Sequence, residues 1–182
     1  EAVGRYTPAE QRKLVETLRP RMVSVALREI TAEPDAALTR RFFAFCAEAG
    51  IAVQHILYDP TDVVRLGALV ADGTIPGGGL QVLHVLGRYA PGQVSTPDDL
   101  TAPLGRQKAS GLTPDWAICA FGAAETACLL SPLRSASINT TWLVETSANP
   151  RNSVIGMWQW PLTRPGTPWS VIFWSTPTSC TR

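Results

Sequence analysis

Two kinds of segment alternate along the chain: segments with apolar residues at helical spacing, and short runs that are apolar almost throughout. The helical segments carry start and stop signals, such as Thr7 before a proline, Asp35 at a helix start and Gly50 at a helix end. Repetition at roughly 30 residues per unit predicts parallel strands joined by crossover helices. A closed barrel and a doubly wound sheet both fit. The predicted strands are MVSVAL, AVQHILYD, LQVLHVLG and DWAICAFG.

Each predicted strand carries one polar or polarisable residue between apolar neighbours, namely Ser24, His55, His84 and Cys119. Because side chains alternate between the two faces of a strand, we predict that these four share one face. In a barrel that face is the interior, which leads to the active-site mouth. Core packing is the favoured interpretation. A zinc site formed by His55, His84 and Cys119 is the alternative.

Charged residues follow the strands at the end where ligands bind in parallel sheets. Arg88, directly after the third strand, is a candidate contact for a carboxylate or phosphate, and a solvated loop arginine is an equal alternative. A set of aspartates at helix starts is interpreted mainly as helix caps. These aspartates are Asp59, Asp62, Asp98 and Asp99.

Overall composition narrows the class of protein. The 182 residues suffice for one domain, and a formal charge of +1 argues against nucleic acid or a membrane as partner. Cys46 and Cys119 lie in apolar runs and are predicted to be buried thiols. A reducing, cytoplasmic setting is therefore expected.

The composition changes at Arg134. From there to Arg182 the chain holds five of the six tryptophans, fifteen serines or threonines and a single acid, Glu145. We therefore divide the chain into a partial barrel, 1–133, and an atypical tail, 134–182. Only WSVIFWS (169–175) is assigned strand character, and the tail is expected to cover a sheet edge or to make an oligomer contact. An out-of-frame tail is one hypothesis, because MWQWP read from the third base of each codon becomes alanine-rich, and a divergent tail is the other.

The segments PRMVSVALRE, GIAVQHILYDPTDVVRL, LQVLHVLGRYAPGQ and DWAICAFGAAETACLL resemble the β-keto acid cleavage enzymes, the family of 3-keto-5-aminohexanoate cleavage enzyme. The resemblance covers about Thr7 to Leu133. It implies an α/β fold, a TIM (β/α)8 barrel of which these strands are the third to sixth. It also implies a homotetramer and a zinc-dependent reaction of a β-keto acid with acetyl-CoA, giving acetoacetate and an acyl-CoA.

The resemblance also implies site residues, and this chain departs from them. The family's His-x-His zinc motif belongs to the second barrel strand, which this sequence lacks. Glu145 is only a weak metal candidate, because Thr141 and Thr146 stand where the family has arginine and aspartate. The expected substrate contacts are Ser24, His55, His84 and Arg88, with neither histidine a metal ligand.

We therefore expect a fragment that does not bind zinc and is inactive as written, although whether it is an enzyme stays open. The first alternative is a non-catalytic module that oligomerises or binds a partner. The second is a different metal enzyme that uses His55, His84 and Cys119.

Overall fold

The structure is a computed structural model that describes residues 4–33, 35–135, 140–144 and 157–161. Its elements follow the predicted alternation of helices and strands. Two short 3-10 turns, Pro91–Gln93 and Pro97–Leu100, lie between the third strand and the fifth helix. The elements in chain order are α1 Pro8–Leu18, β1 Met22–Ala26, α2 Leu27–Ile30, α3 Ala36–Glu48, β2 Ala52–Leu57, α4 Pro60–Ala71, β3 Gln81–Val85, α5 Thr101–Ala109, β4 Asp115–Cys119, α6 Glu125–Ser135, β5 Thr140–Val144 and β6 Met157–Pro161.

The described strands form one sheet in the order β1-β2-β3-β4-β6-β5. The pairings β1–β2, β2–β3 and β3–β4 are parallel, which confirms the prediction for the four apolar runs. Each parallel pair is joined by a helical connection, as parallel strands require. This arrangement is half of a β/α barrel, consistent with the predicted partial TIM barrel.

The helix boundaries follow the capping signals. Thr7 forms a capping box with Glu10 at the start of α1, and Asp35 caps α3 by accepting from the Ala37 amide at 2.9 Å. Gly50 follows α3 with a φ of 68°, a value that favours glycine. Pro103 lies in the first turn of α5, where a missing amide hydrogen costs little.

Apolar side chains on one side of the parallel strands pack against the helices. Phe42 and Phe43 of α3 and Leu66 of α4 are almost fully buried there. A second cluster, which includes Ile118 and Leu129, fills the space beneath α5 and α6. Cys46, Cys119 and Cys128 are buried thiols, as predicted for the first two. Among the described residues, no helix combines the length and the apolar character needed to cross a membrane.

The described part of the tail adds two strands to the sheet. β6 pairs antiparallel with β4, with Ala117 opposite Trp158 and Ile118 opposite Met157, and β5 pairs antiparallel with β6. The prediction that the tail covers a sheet edge is confirmed. The prediction that only residues 169–175 have strand character is wrong, because Thr, Val and Trp in 140–144 and 157–161 also favour strands. Residues 169–175 lie outside the described residues.

Candidate functional site

Strand register shows which polar residues share a face of the sheet. Ser24 pairs with Gln54, Gln54 with Gln81, and Gln81 with Asp115, so these four lie in one row. Directly paired residues on neighbouring strands point to the same side. We call this side the inner face, because it lies opposite the helices and corresponds to the interior of a closed barrel. Cys119 also belongs to the inner face, since it lies four residues after Asp115 on β4.

The two histidines lie on the opposite side, which we call the helix face. His55 pairs with Val25 and Val82, and His84 pairs with Leu57 and Ile118. The two imidazoles do share a face, but they do not share it with Ser24 or Cys119. The prediction that all four residues point to the barrel interior is therefore wrong. Gln54 and His55 are consecutive in β2 and must point in opposite directions.

His55 is packed into the apolar layer beneath α3. Its side chain is 2 % exposed, and its ring centroid lies 5.4 Å from that of Phe43. Within the described part of the chain, its Nδ1 has no hydrogen-bond partner. Burial lowers the pKa of His55 to about 4, because the apolar layer disfavours the charged imidazolium. His55 is thus a neutral core residue at neutral pH.

His84 lies beneath α5 and is 1 % exposed. Its Nε2 is 3.1 Å from Oε1 of Gln107, and its ring packs edge-on against Trp116. Burial lowers the pKa of His84 to about 4, although the hydrogen bond with Gln107 opposes that shift. His84 also lines a cleft of about 390 Å³ whose walls include Asp59, Asp98 and Asp99. Asp59, one of these three carboxylates, is ion-paired with Arg28.

These positions bear on the expected metal and substrate roles of the histidines. Cys119 lies on the inner face and both imidazoles on the helix face, so the three cannot surround one zinc ion. In the described residues, no group of three or more His, Cys, Asp or Glu side chains could hold a metal ion. Glu145 lies outside the described residues. His55 is covered by α3, whereas His84 also lines the cleft, and the expected substrate contacts through the two histidines stay predictions.

Ser24 lies on the inner face, in the middle of β1 rather than at its end. Its hydroxyl donates a hydrogen bond to Oε1 of Gln54 at 2.7 Å. Gln54 is 3 % exposed, and among the described residues its Nε2 has no hydrogen-bond partner, nor has Oε1 of Gln81 on the next strand. This donor and this acceptor lie on neighbouring strands of the same face. The hydroxyl of Ser24 holds one end of this polar row in place.

The carboxyl ends of β1, β2 and β3 bring together an arginine and two tyrosines. Arg28 lies in α2, just after β1. Tyr58 directly follows β2, and Tyr89 lies in the loop after β3. The guanidinium carbon of Arg28 lies 4.9 Å from the ring centre of Tyr58 and 5.4 Å from that of Tyr89. The two tyrosine rings meet edge to face at 5.2 Å. We call Arg28, Tyr58 and Tyr89 the arginine–tyrosine cluster.

Two aspartates at the start of α4 neutralise Arg28. Its Nη2 donates to Asp59 at 2.6 Å and to Asp62 at 2.5 Å, and its Nε donates to Asp62 at 3.2 Å. Partial burial raises the pKa of Asp59, but hydrogen bonds from Thr61 and Arg28 outweigh this effect and lower the pKa below its ordinary value. Asp59 caps α4, as predicted. Asp62 pairs with Arg28 and also accepts a hydrogen bond from the Tyr58 amide at 2.8 Å.

Arg88 directly precedes Tyr89 of this cluster in the chain. Its side chain is exposed, and in the part of the chain that the structure describes it forms no ion pair or hydrogen bond. Gly87, before it, has a φ of 67°, and a Cβ there would lie 2.3 Å from the carbonyl oxygen of Val94. Ser95 donates to the Leu86 carbonyl at 2.8 Å and accepts the Phe121 amide at 2.7 Å. The base of the loop is therefore fixed, and it presents Arg88 at the carboxyl edge of the sheet.

The fold places the chain in the β/α-barrel class, in which the loops after the strands carry the functional site. The family model described as beta-keto acid cleavage enzyme matches residues 2–134. The chain therefore belongs to the β-keto acid cleavage enzyme family. A search of curated proteins found no match.

Proposed function

We propose that this chain binds the carboxylate of a β-keto acid at the carboxyl edge of β3, with Arg88 as the cation. The observation that carries the proposal is the contrast between two arginines near this edge, Arg28 and Arg88. Arg28 is neutralised by Asp59 and Asp62, whereas Arg88 is exposed with no carboxylate paired to it in the described residues. A guanidinium can hold a carboxylate through two parallel hydrogen bonds. Ser24, on the inner face, is a second proposed substrate contact.

The family reaction is the proposed context of this binding. A β-keto acid reacts with acetyl-CoA, zinc polarises the keto group, and acetoacetate and a new acyl-CoA are released. The described side chains do not fit a zinc site, since no three of the usual ligand types converge. We propose that the 182-residue chain binds the keto acid but does not by itself hold zinc or complete the reaction.

The cellular setting is proposed on the cysteines. Three buried thiols, Cys46, Cys119 and Cys128, support a reducing compartment such as the cytoplasm.

A second candidate function is a non-catalytic module that oligomerises. The supporting observation is on α1, where Leu14 and Leu18, one helical turn apart, are 59 % and 67 % exposed while Val15 faces the core. Exposed leucines at this spacing form an apolar strip that a second copy could cover. Light scattering on the Leu14→Glu and Leu18→Glu variants tests this candidate. A loss of oligomer supports the module, and a wild-type monomer excludes it.

The carboxylate proposal is tested by titrating fresh acetoacetate, a β-keto acid, into the chain and following amide shifts by NMR. Arg88→Gln removes the proposed cation, and we expect affinity to fall by about tenfold, the effect of losing one charge-assisted contact. Arg106→Gln, on the exposed side of α5, is the matched control and should bind as the wild type does. Equal binding by the two variants would contradict the proposal.

The activity part is tested separately, with acetyl-CoA, zinc and acetoacetate analogues supplied to the purified chain. We expect no acyl-CoA product. Zinc-dependent product formation that is absent from a Ser24→Ala, Arg88→Gln double variant would overturn the proposed inactivity.

A further inference from the structure

Arg28 physically connects the first two loops at the carboxyl edge. It lies in α2, directly after β1, and reaches Asp59 and Asp62, which lie after β2. Asp62 is itself 4 % exposed and accepts the backbone amide of Tyr58. Displacing Arg28 would therefore leave a buried carboxylate without its counterion, which fixes the guanidinium strongly in place.

The same guanidinium reaches the third loop by stacking. Tyr89 is 55 % exposed and follows Arg88 directly in the chain. Its ring contacts both Arg28 and Tyr58, at 5.4 Å and 5.2 Å between centres. A planar guanidinium held by two carboxylates thus offers one face against which the tyrosine next to Arg88 packs.

Charge separates the role of Arg28 from that of Arg88. Arg28 is already paired with two carboxylates, Asp59 and Asp62. A carboxylate ligand would therefore find no unpaired positive charge there. Arg28 therefore does not bind the substrate anion, but it contacts the residue that neighbours the arginine proposed to do so.

We propose that Arg28 is a positioning residue that ties three successive loops together and sets the place of Arg88 through Tyr89. The inference rests on the proposed carboxylate site for its functional meaning. The packing contact between Arg28 and Tyr89 does not depend on that site. Substituting Arg28 should act on keto acid binding through the loop, without removing a contact to the ligand.

The link itself is tested with the full chain labelled with 3-fluorotyrosine and followed by fluorine NMR. The Tyr89 resonance is assigned by its loss in Tyr89→Phe. In Arg28→Lys, which keeps the charge for Asp59 and Asp62 but loses the flat stacking surface, we expect this resonance to shift and sharpen. An unchanged Tyr89 resonance in Arg28→Lys, and also in Arg28→Gln, would overturn the proposal.

The functional consequence is tested by acetoacetate titration of the same variants. We expect Arg28→Lys and Tyr89→Ala each to weaken binding by about fivefold, the worth of one cation–π contact. The double variant should be no weaker than the weaker single variant, because both changes act through one loop. Additive losses would overturn the positioning role. Failure of the wild type to bind acetoacetate would refute the carboxylate site, and the fluorine measurement would then decide the Arg28 link alone.

Discussion

The helix face and the inner face of the parallel sheet both place polar side chains among apolar neighbours, but with different consequences. On the helix face, His55 and His84 are almost fully buried, and burial lowers the pKa of both so that they are neutral at neutral pH. On the inner face, Ser24 donates a hydrogen bond to Gln54, in a row that includes amide atoms with no partner among the described residues. Histidine, the residue type most often catalytic, is buried here on the helix face, whereas the glutamines lie on the face that would line the interior of a closed barrel.

Successive residues of a strand point to opposite faces, and this alternation, not the chemistry of the side chain, decides which face a residue occupies. A shift of one position moves a side chain from one face to the other. In β2, Gln54 and His55 differ by one position, and only Gln54 points toward the inner face. Three measurements test whether the two faces of the sheet contribute differently to stability.

The largest expected effect is on the packed layer of the helix face. Phe43→Ala should lower the free energy of unfolding by about 3–5 kcal/mol, because it leaves a cavity between α3 and His55. Urea unfolding followed by circular dichroism measures the loss. Leu83→Ala, at a half-buried inner-face position, is the comparison and should cost less. Equal losses would mean that the two faces are packed alike.

The next effect is acid sensitivity from the helix face. The folded pKa values of His55 and His84 are about 4, below the ordinary value of 6.5 for histidine, so the unfolded chain takes up protons first as pH falls. Stability from this source is complete above pH 6.5 and is lost as pH falls toward 4, by up to about 3 kcal/mol for each histidine.

Urea unfolding at a series of pH values from 7.5 to 4.5 measures this loss. His55→Gln and His84→Gln should each remove about half of the histidine-linked slope. A slope that is unchanged in the double variant would show that carboxylates, not these imidazoles, cause the acid sensitivity.

The smallest of the three effects concerns the inner face. Ser24→Ala removes the donor to Oε1 of the buried Gln54 and should cost about 1–3 kcal/mol. Thermal unfolding of the variant measures this loss. Thr17→Ala, at an exposed hydroxyl of α1, is the control and should change stability by no more than about 0.5 kcal/mol. A Ser24→Ala variant as stable as that control would show that the hydrogen bond from Ser24 to Gln54 does not stabilise the fold.

Much of the fold could be predicted because its signals are local. Asp35 and Gly50 mark both ends of α3, and apolar runs mark the four parallel strands. The face occupied by His55 could have been predicted in part. Its neighbour Gln54 is also polar, and only one of two consecutive residues can point to the inner face. The arginine–tyrosine cluster could not be predicted, because Arg28 meets Asp59 and Asp62 across 31 and 34 residues of chain. Such contacts depend on how the loops are placed in three dimensions, which spacing along one sequence does not reveal.

The antiparallel pairing of β6 with β4 limits how the sheet can grow. A barrel extends by adding strands that all run the same way, and β6 runs against that direction at Ala117 and Ile118. While β6 holds those backbone groups, another polypeptide cannot dock as the next parallel neighbour of β4. Restoring a closed ring by supplying the complementary half in trans would first require β6 to detach.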